Sequence, residues 1–344
     1  MQTVTITTLE SSFSSELYQE LFDYFDIHEI CQTFYDLNFH LNEIIRQSYI
    51  HLNLSSKYNE QHILPKIYLP SIRSLKLSNS HTNNQIISVL SQYSLENFIN
   101  LYSLTLNDLQ VNDIKYTIDK LQCLKRLSTL TIGFHRSIYN GIVKHILKII
   151  FSDSLLYTLK YLKFYNCRWI IHSIVSTKTP SNIQHLNISL IHKTDFIHLI
   201  PLLPHLRSIT IGLWNNQSSI IATKMILPIM TDLVELNLFN CSGLSFEHTK
   251  SFFLLKLPNL KKISLKVYDL SYANGKEWEQ LFINDLPKVN SFYLSVRLES
   301  QYINKNDLLS TFQTNYWIKY HVEIQNYSEA FSNSTQLIVK LRTV

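Results

Sequence analysis

From residue 69 onward the chain repeats one arrangement of positions: an apolar residue, two others, an apolar residue, one other, an apolar residue. It occurs at Ile72/Leu75/Leu77, Leu101/Leu104/Leu106, Leu127/Leu130/Ile132 and Leu159/Leu162/Phe164. It recurs at Ile183/Leu186/Ile188, Leu206/Ile209/Ile211, Leu233/Leu236/Leu238, Leu260/Ile263/Leu265 and Val289/Phe292/Leu294, with a weaker tenth copy at Trp317/Tyr320/Val322. Successive copies begin 23 to 32 residues apart. The last two apolar residues of each copy lie two apart, the alternation of a strand with one buried face. The residues that follow change to a helical period, as in Ile86, Ile87, Leu90 and Tyr93, or Ile114, Thr117, Ile118 and Leu121. Each unit therefore reads as a short strand and a return helix. A right-handed crossover brings the chain back to begin a parallel neighbouring strand. A single unit leaves its apolar row uncovered, and stacked neighbours cover it. The expected fold class is α/β, a solenoid of stacked strand–helix coils. Pro after the helices, as in Leu203-Pro204, Leu257-Pro258 and Leu286-Pro287, stops each helix before the next strand.

This stretch resembles the leucine-rich repeat family, of the longer-unit, ribonuclease-inhibitor-like kind, whose units run about 20–29 residues. Asn166-Cys167 and Asn240-Cys241 stand where that family carries its Asn/Cys turn, each Cys eight residues after the first apolar position of its copy. Ser80, Leu109, His135, Ile191 and Trp214 occupy that place in other units, so the turn ladder is expected to be mostly lost. The resemblance implies a curved parallel sheet with outer helices and a concave binding face.

The first 50 residues follow a different pattern. Ser14 is placed to cap a helix beginning at Ser15, with Glu16 and Glu20 near its positive end. Leu17, Leu21, Tyr24 and Phe25 then share one helical face. Asp26 and Glu29 form a capping-box pair for a second helix, and Ile27, Ile30, Phe34, Leu37 and Leu41 continue an apolar stripe. Charge changes at the same boundary. Residues 1–50 hold eight Asp and Glu against Arg46 alone, and the remainder holds 30 Lys and Arg against 18 Asp and Glu. The front is thus −7 and the rest +12, as expected of two modules with different partners.

The segment Phe13-Ser14-Ser15-Glu16-Leu17, followed by Leu21-Phe22-Asp23-Tyr24-Phe25 and Asp26-Ile27-His28-Glu29-Ile30, resembles an F-box. Ser14 stands where that family has Pro, and Leu37-Asn38-Phe39-His40-Leu41 stands where it has a Cys-Arg-x-Trp element. The expected organisation is an F-box-like helical module over 1–50, a connector over 51–68, leucine-rich repeats over 69–300 and a C-terminal cap over 301–344. In the cap, Tyr316 to Ile324 and Leu337 to Leu341 read as closing strands.

Candidate chemistry changes this picture little. With 5 Gly in 344 residues and no Gly-x-Gly-x-x-Gly or Walker A string, a phosphate-cradling loop is not expected. No two of Cys31, Cys123, Cys167 and Cys241 have CxxC spacing, and His185, His192, His198 and His205 lack the i, i+4 spacing and carboxylates of a zinc site. No secretory leader or apolar run long enough to span a membrane stands out, so the reading is an intracellular chain, cytoplasmic and/or nuclear, with reduced thiols. No cofactor or metal is expected.

Function is therefore sought on a surface. Residues beside the inward positions of each strand should line the concave face: Lys76 and Ser78, Tyr161, Lys163 and Tyr165, His185 and Asn187, Glu235 and Phe239, Lys262 and Lys266, and Tyr293. Aromatic side chains beside Lys suit a protein partner. Dispersed lysines with no Arg-rich run argue against nucleic acid. The F-box resemblance implies a non-enzymatic substrate-recognition adaptor of a cullin-type (SCF-like) ubiquitin ligase. In that role Leu17, Leu21, Tyr24, Phe25, Ile27 and Ile30 would supply the faces that pack the module and dock a Skp-type adaptor on its cullin scaffold. The repeats would hold a target protein, acidic or phosphorylated given the +12 charge. The alternative is an interaction scaffold whose front helices only cap the repeats.

Overall fold

The computed structural model describes residues 14–22, 24–25, 27–55, 64–81, 84–135, 145–147, 149–151, 157–166, 180–192, 196, 198–214, 229–242, 245–252, 254–298, 307, 310–318, 322–325 and 335–342. They fall in two units, Met1–His135 and Arg136–Val344. Among the described residues no helix is long and apolar enough to cross a membrane.

The first unit begins with three helices, α1 (Ser15–Phe22), α2 (Ile27–Thr33) and α3 (Phe39–Gln47). The Ser14 carbonyl accepts from the N–H groups of Leu17 and Tyr18, so α1 starts where its polar cap predicts. Its buried face is Tyr18 and Phe22, not the expected stripe of Leu17, Leu21, Tyr24 and Phe25. Phe22 packs on Phe34 with ring centroids 5.4 Å apart, and Ile27, Ile30 and Leu41 complete that core. Leu37 leaves the second stripe because α2 ends at Thr33 and Asp36 turns left-handed at φ 65°. Asn38 then caps α3, its Oδ1 accepting from Leu41 N–H at 2.8 Å. Asp26 lies outside the described residues.

Four strands follow in this unit: β1 (Ile50–Asn53), β2 (Ile72–Ser78), β3 (Ser103–Leu109) and β4 (Thr129–Phe134), parallel and adjacent in chain order. The connector expected over 51–68 thus contains a strand. Its apolar alternation, Ile50, Leu52 and Leu54, is too short to register as a repeat, yet all three side chains are buried. Two return helices appear, α4 (Gln85–Gln92) and α5 (Val111–Thr117).

The second unit has six parallel strands in chain order: β5 (Tyr161–Tyr165), β6 (His185–His192), β7 (Ser208–Trp214), β8 (Glu235–Ser242), β9 (Lys262–Val267) and β10 (Ser291–Leu298). Helices α6 (Phe246–Phe252) and α7 (Gly275–Asn284) precede β9 and β10. The repeated apolar phrase aligns across all six strands. Leu162, Leu186, Ile209, Leu236, Ile263 and Phe292 form one row in register, and Phe164, Ile188, Ile211, Leu238, Leu265 and Leu294 the next. All twelve are buried. Each such side chain contributes about 2 kcal/mol relative to exposure, so these rows are the main favourable term in stacking. Polar caps repeat with them. The side-chain amides of Asn182 and Asn259, each just before a phrase, donate to Tyr157 O and Thr231 O of the preceding unit at 2.9 and 2.8 Å. In the first unit Asn100 does the same to Pro70 O.

Among the described residues the Asn/Cys turn ladder is mostly lost, as expected, but its position stays buried. β3, β6 and β8 each carry one residue more than β4, β7 and β9, so Leu109 pairs with Phe134, Ile191 with Leu213 and Cys241 with Val267. The buried turn position is eight residues into some copies and seven into others. A fixed count lands on His135 and Trp214 instead. In β3 and β8 the bulge is absorbed by Asp108 and Asn240 in the left-handed region, φ 58° and 52°. In the first copy the amide is Asn79, not Ser80. It accepts from Ile86 N–H at 3.0 Å and donates to Asp113 Oδ2 at 2.7 Å. Cys167 lies outside the described residues.

At the C-terminal end the parallel order stops. β12 (Thr335–Arg342) pairs antiparallel with β10, and β11 (Val322–Gln325) antiparallel with β12. Trp317 lies in a short helix, α8 (Asn315–Ile318), and Val322 begins β11, which is antiparallel to β12, so the weak copy Trp317/Tyr320/Val322 adds no parallel strand; Tyr320 lies outside the described residues. The Trp317 indole N–H donates to Gly275 O at 2.9 Å and its ring joins a buried cluster with Phe282, Phe292 and Phe312. That burial, not strand alternation, explains the apolar residue there.

Candidate interaction surfaces

In the first unit the expected docking residues divide by burial. Leu17 is 49% exposed, Leu21 39%, Tyr24 85% and Phe25 39%, while Ile27 and Ile30 are both 7% exposed. Residues 17 and 21 lie one helical turn apart on the side of α1 that its core does not use. Lys76, also in this unit, is half-buried on β2 opposite Thr105 of β3 and Asn53 of β1. Ser78, expected beside it on the face, is buried with its hydroxyl 2.7 Å from that of Ser80.

The second unit brings the other expected residues onto one sheet face, because each alternates with a buried phrase residue. Tyr161, His185, Ser208, Glu235, Lys262 and Ser291 stand in one row across the strands. Lys163, Asn187, Thr210, Asn237, Ser264 and Tyr293 stand in the next. Gly212, Phe239 and Lys266 begin a third. Tyr165 follows Lys163 on β5, and the Lys163 ammonium lies 5.9 Å from its ring centroid. The Tyr161 ring and the His185 imidazole are stacked, with centroids 4.1 Å apart and planes within 4°. Burial, and then the Arg207 charge, hold the imidazole below its ordinary pKa against the opposing pull of Glu235. A neutral imidazole on a phenol gives one end of the face an aromatic platform. Lys262 and Lys266, both exposed, make the other end basic, with Glu235 opposite Lys262 in register.

The repeat pattern did not point to Lys340. It reaches this face because β12 runs antiparallel and sets it opposite Tyr293, exposed. Nor did the pattern single out Gly212. A Cβ there would meet Ser189 O at 2.2 Å and Phe239 Cε2 at 3.1 Å, so the glycine lets the Phe239 ring lie over β7. Among the described residues no three His, Cys, Asp or Glu stand together as metal ligands, and His205 stands near Asp232 at 3.8 Å. No model of a known protein family matches this chain, and no curated protein matches it at a significant level.

Proposed function

We propose that this chain is the substrate-recognition adaptor of a cullin-type, SCF-like ubiquitin ligase. Its front helices would be an F-box-like module that docks a Skp-type adaptor, and its parallel strands leucine-rich repeats that hold a target protein. The observation that carries this reading is the exposure of Leu17, Leu21, Tyr24 and Phe25 on a helical module that keeps Tyr18, Phe22, Ile27 and Ile30 for its own core. Exposed large apolar side chains clustered on a short segment are the mark of a protein-docking face. Ile27 and Ile30 then support the docking face from beneath.

The activity is proximity, not bond chemistry. Held on the sheet face by Tyr161, Lys163, Tyr165, His185, Asn187, Glu235, Phe239, Lys262, Lys266 and Tyr293, with Lys76 on the first unit's sheet, a target is presented at high effective concentration to the ubiquitin-loaded enzyme. Lysines on that face favour an acidic or phosphorylated target. Target capture then weakens as salt rises from low to physiological strength.

The test is co-purification with a Skp-type adaptor, comparing the native chain with Leu21→Asp. The native chain binds and the variant does not, with thermal stability unchanged, because Leu21 is not part of the core. A native chain that fails to bind returns the reading to a repeat scaffold without a ubiquitin-ligase role.

A further inference from the structure

A cleft of about 700 Å³ opens in the first unit between α1 and the chain that leads into β1. Its floor is apolar, built by Phe22, Ile27, Ile30, Ile45 and Ile50, with Phe25 exposed at the mouth. One wall is Glu16, Gln19 and Glu20 of α1, and the other is residues 47–51. At 100° per residue, Glu16, Gln19 and Glu20 share a side of α1 that excludes Leu17 and Leu21. The cleft therefore leaves out those two leucines and shares only Phe25, at its mouth, with the docking face.

Its charge is one-sided. The Glu16 carboxyl is held below its ordinary pKa by a backbone N–H and the Ser14 hydroxyl, so it carries its charge at neutral pH. Glu20 lies one turn further on the same wall and is exposed. Arg46 pairs with Glu43 at 2.9 Å and Lys66 lies 4.8 Å from the Tyr35 ring centroid, while Arg73 lies 4.2 Å from the ring centroid of Tyr49 in the second wall, so the acidic side is the α1 wall.

The second wall adds a backbone edge. Among the described residues β1 pairs only with β2. The Leu54 N–H donates to Lys76 O at 2.9 Å, so strand alternation turns the N–H and C=O of His51 and Asn53 away from β2. Both residues are exposed, and His51 lines the cleft. An open edge is a template for one more strand.

We propose that this cleft docks an extended basic–apolar segment of a partner protein. The segment adds a strand at the β1 edge through His51 and Asn53. Its apolar side chains enter over Phe25 and Ile50, and its Lys or Arg heads reach Glu16 and Glu20. The backbone edge selects a peptide over a small amine, and the acidic wall selects a basic one.

The experiment uses the full chain and a fluorescent synthetic peptide alternating Val with Lys, read by anisotropy. The native chain binds it saturably. Glu16→Gln/Glu20→Gln weakens binding about tenfold, from two contacts each in the range of an exposed ion pair. A peptide N-methylated at alternate positions, which cannot complete the edge ladder, binds at least about tenfold more weakly. Leu21→Asp leaves peptide affinity unchanged while it abolishes adaptor binding, so failure here and failure of the ubiquitin-ligase reading are told apart. The proposal is overturned by the double variant or the N-methylated peptide binding as the native pair does. Equal binding of a Lys–Ser peptide of the same charge, no saturable binding, or competition by self-association of the chain also overturns it. Circular dichroism of the Gln variant checks its fold, and a changed fold moves the comparison to the two single variants.

Discussion

Gly212→Ala separates two physical expectations by sign. Strand propensity and unfolded-chain entropy both favour alanine over glycine, by about 0.4–1 kcal/mol where the backbone accepts it. Gly212 sits in β7 against the extra residue of β6 and beneath Phe239 of β8. An added Cβ would lie 2.2 Å from Ser189 O, 3.1 Å from Phe239 Cε2 and 3.2 Å from Phe239 O. Ordinary contact begins near 3.4 Å, so β6 and β7 must part by about 1 Å at that point. Ladder bonds near 3 Å do not survive such a shift, and each is worth about 1 kcal/mol net. Two lost bonds and a displaced ring give a cost of about 2–4 kcal/mol, which exceeds the entropic gain. For a unit of this size the midpoint of thermal unfolding falls by about 5–10 °C. Calorimetry reads the shift, and hydrogen exchange at Ile211 and Leu213 locates it. A midpoint that stays or rises refutes the contact argument, because then the strands move apart at no cost.

Other outcomes follow from buried groups. Asp113 is fully buried, accepts from Gln110 N–H and Asn79 Nδ2 on one oxygen, and among the described residues its Oδ1 has no partner. Desolvation raises its pKa, so the folded state binds the proton more tightly than the unfolded chain and stability falls as pH rises from the ordinary carboxylate value through the folded one. Asp113→Asn therefore stabilises the chain at neutral pH in urea titrations, and the gain shrinks in acid below that window. Burial pushes the Cys241 thiol up to about 12 and the Cys31 thiol up to about 11, while Cys123 is exposed. Mass spectrometry after brief alkylation at neutral pH should find Cys123 labelled well before either. Trp278 is fully buried among Phe246, Tyr272, Phe282 and Phe292, so Trp278→Ala costs about 3–5 kcal/mol in a denaturant titration.

The strand rows were legible because they obey two local rules at once. Leu236 and Leu238 alternate as a strand must, and the same pair recurs one unit later as Ile263 and Leu265, opposite them in register. A period of 27 residues between those copies leaves little else for the chain to do. The bulges were not legible. That Leu213 ends up inside, seven residues into its copy, depends on the extra residue in the neighbouring strand β6, which no count within β7 reveals. The cap was legible in part: Leu337 to Leu341 lies in β12 as expected, while Tyr316 to Ile324 begins with a helix. Trp317 reads as a strand position by spacing alone, but its place is fixed by Gly275 O and by rings that come from residues 282, 292 and 312.

The same division holds for the surfaces. Alternation alone puts Lys163 and Asn187 opposite the buried phrase, and a strand slipped by one residue would have reversed both. Helical spacing alone is weaker. Leu17, Leu21, Tyr24 and Phe25 form a stripe by any 3.6-residue count, and so do Tyr18 and Phe22, about 100° away. Phe34, in the turn after α2, offers its ring to Phe22 at 5.4 Å and to Phe25 at 6.0 Å, and Tyr18 and Phe22 are the residues that end up buried. Once Phe22 is taken, the leucines are left outside, and a face that would be core in an isolated helix pair becomes available to a partner. Phe34→Ala removes the contacts to both Phe22 and Phe25, so it should loosen α1 and weaken co-purification with a Skp-type adaptor, and adaptor binding that stays at the native level would refute this account.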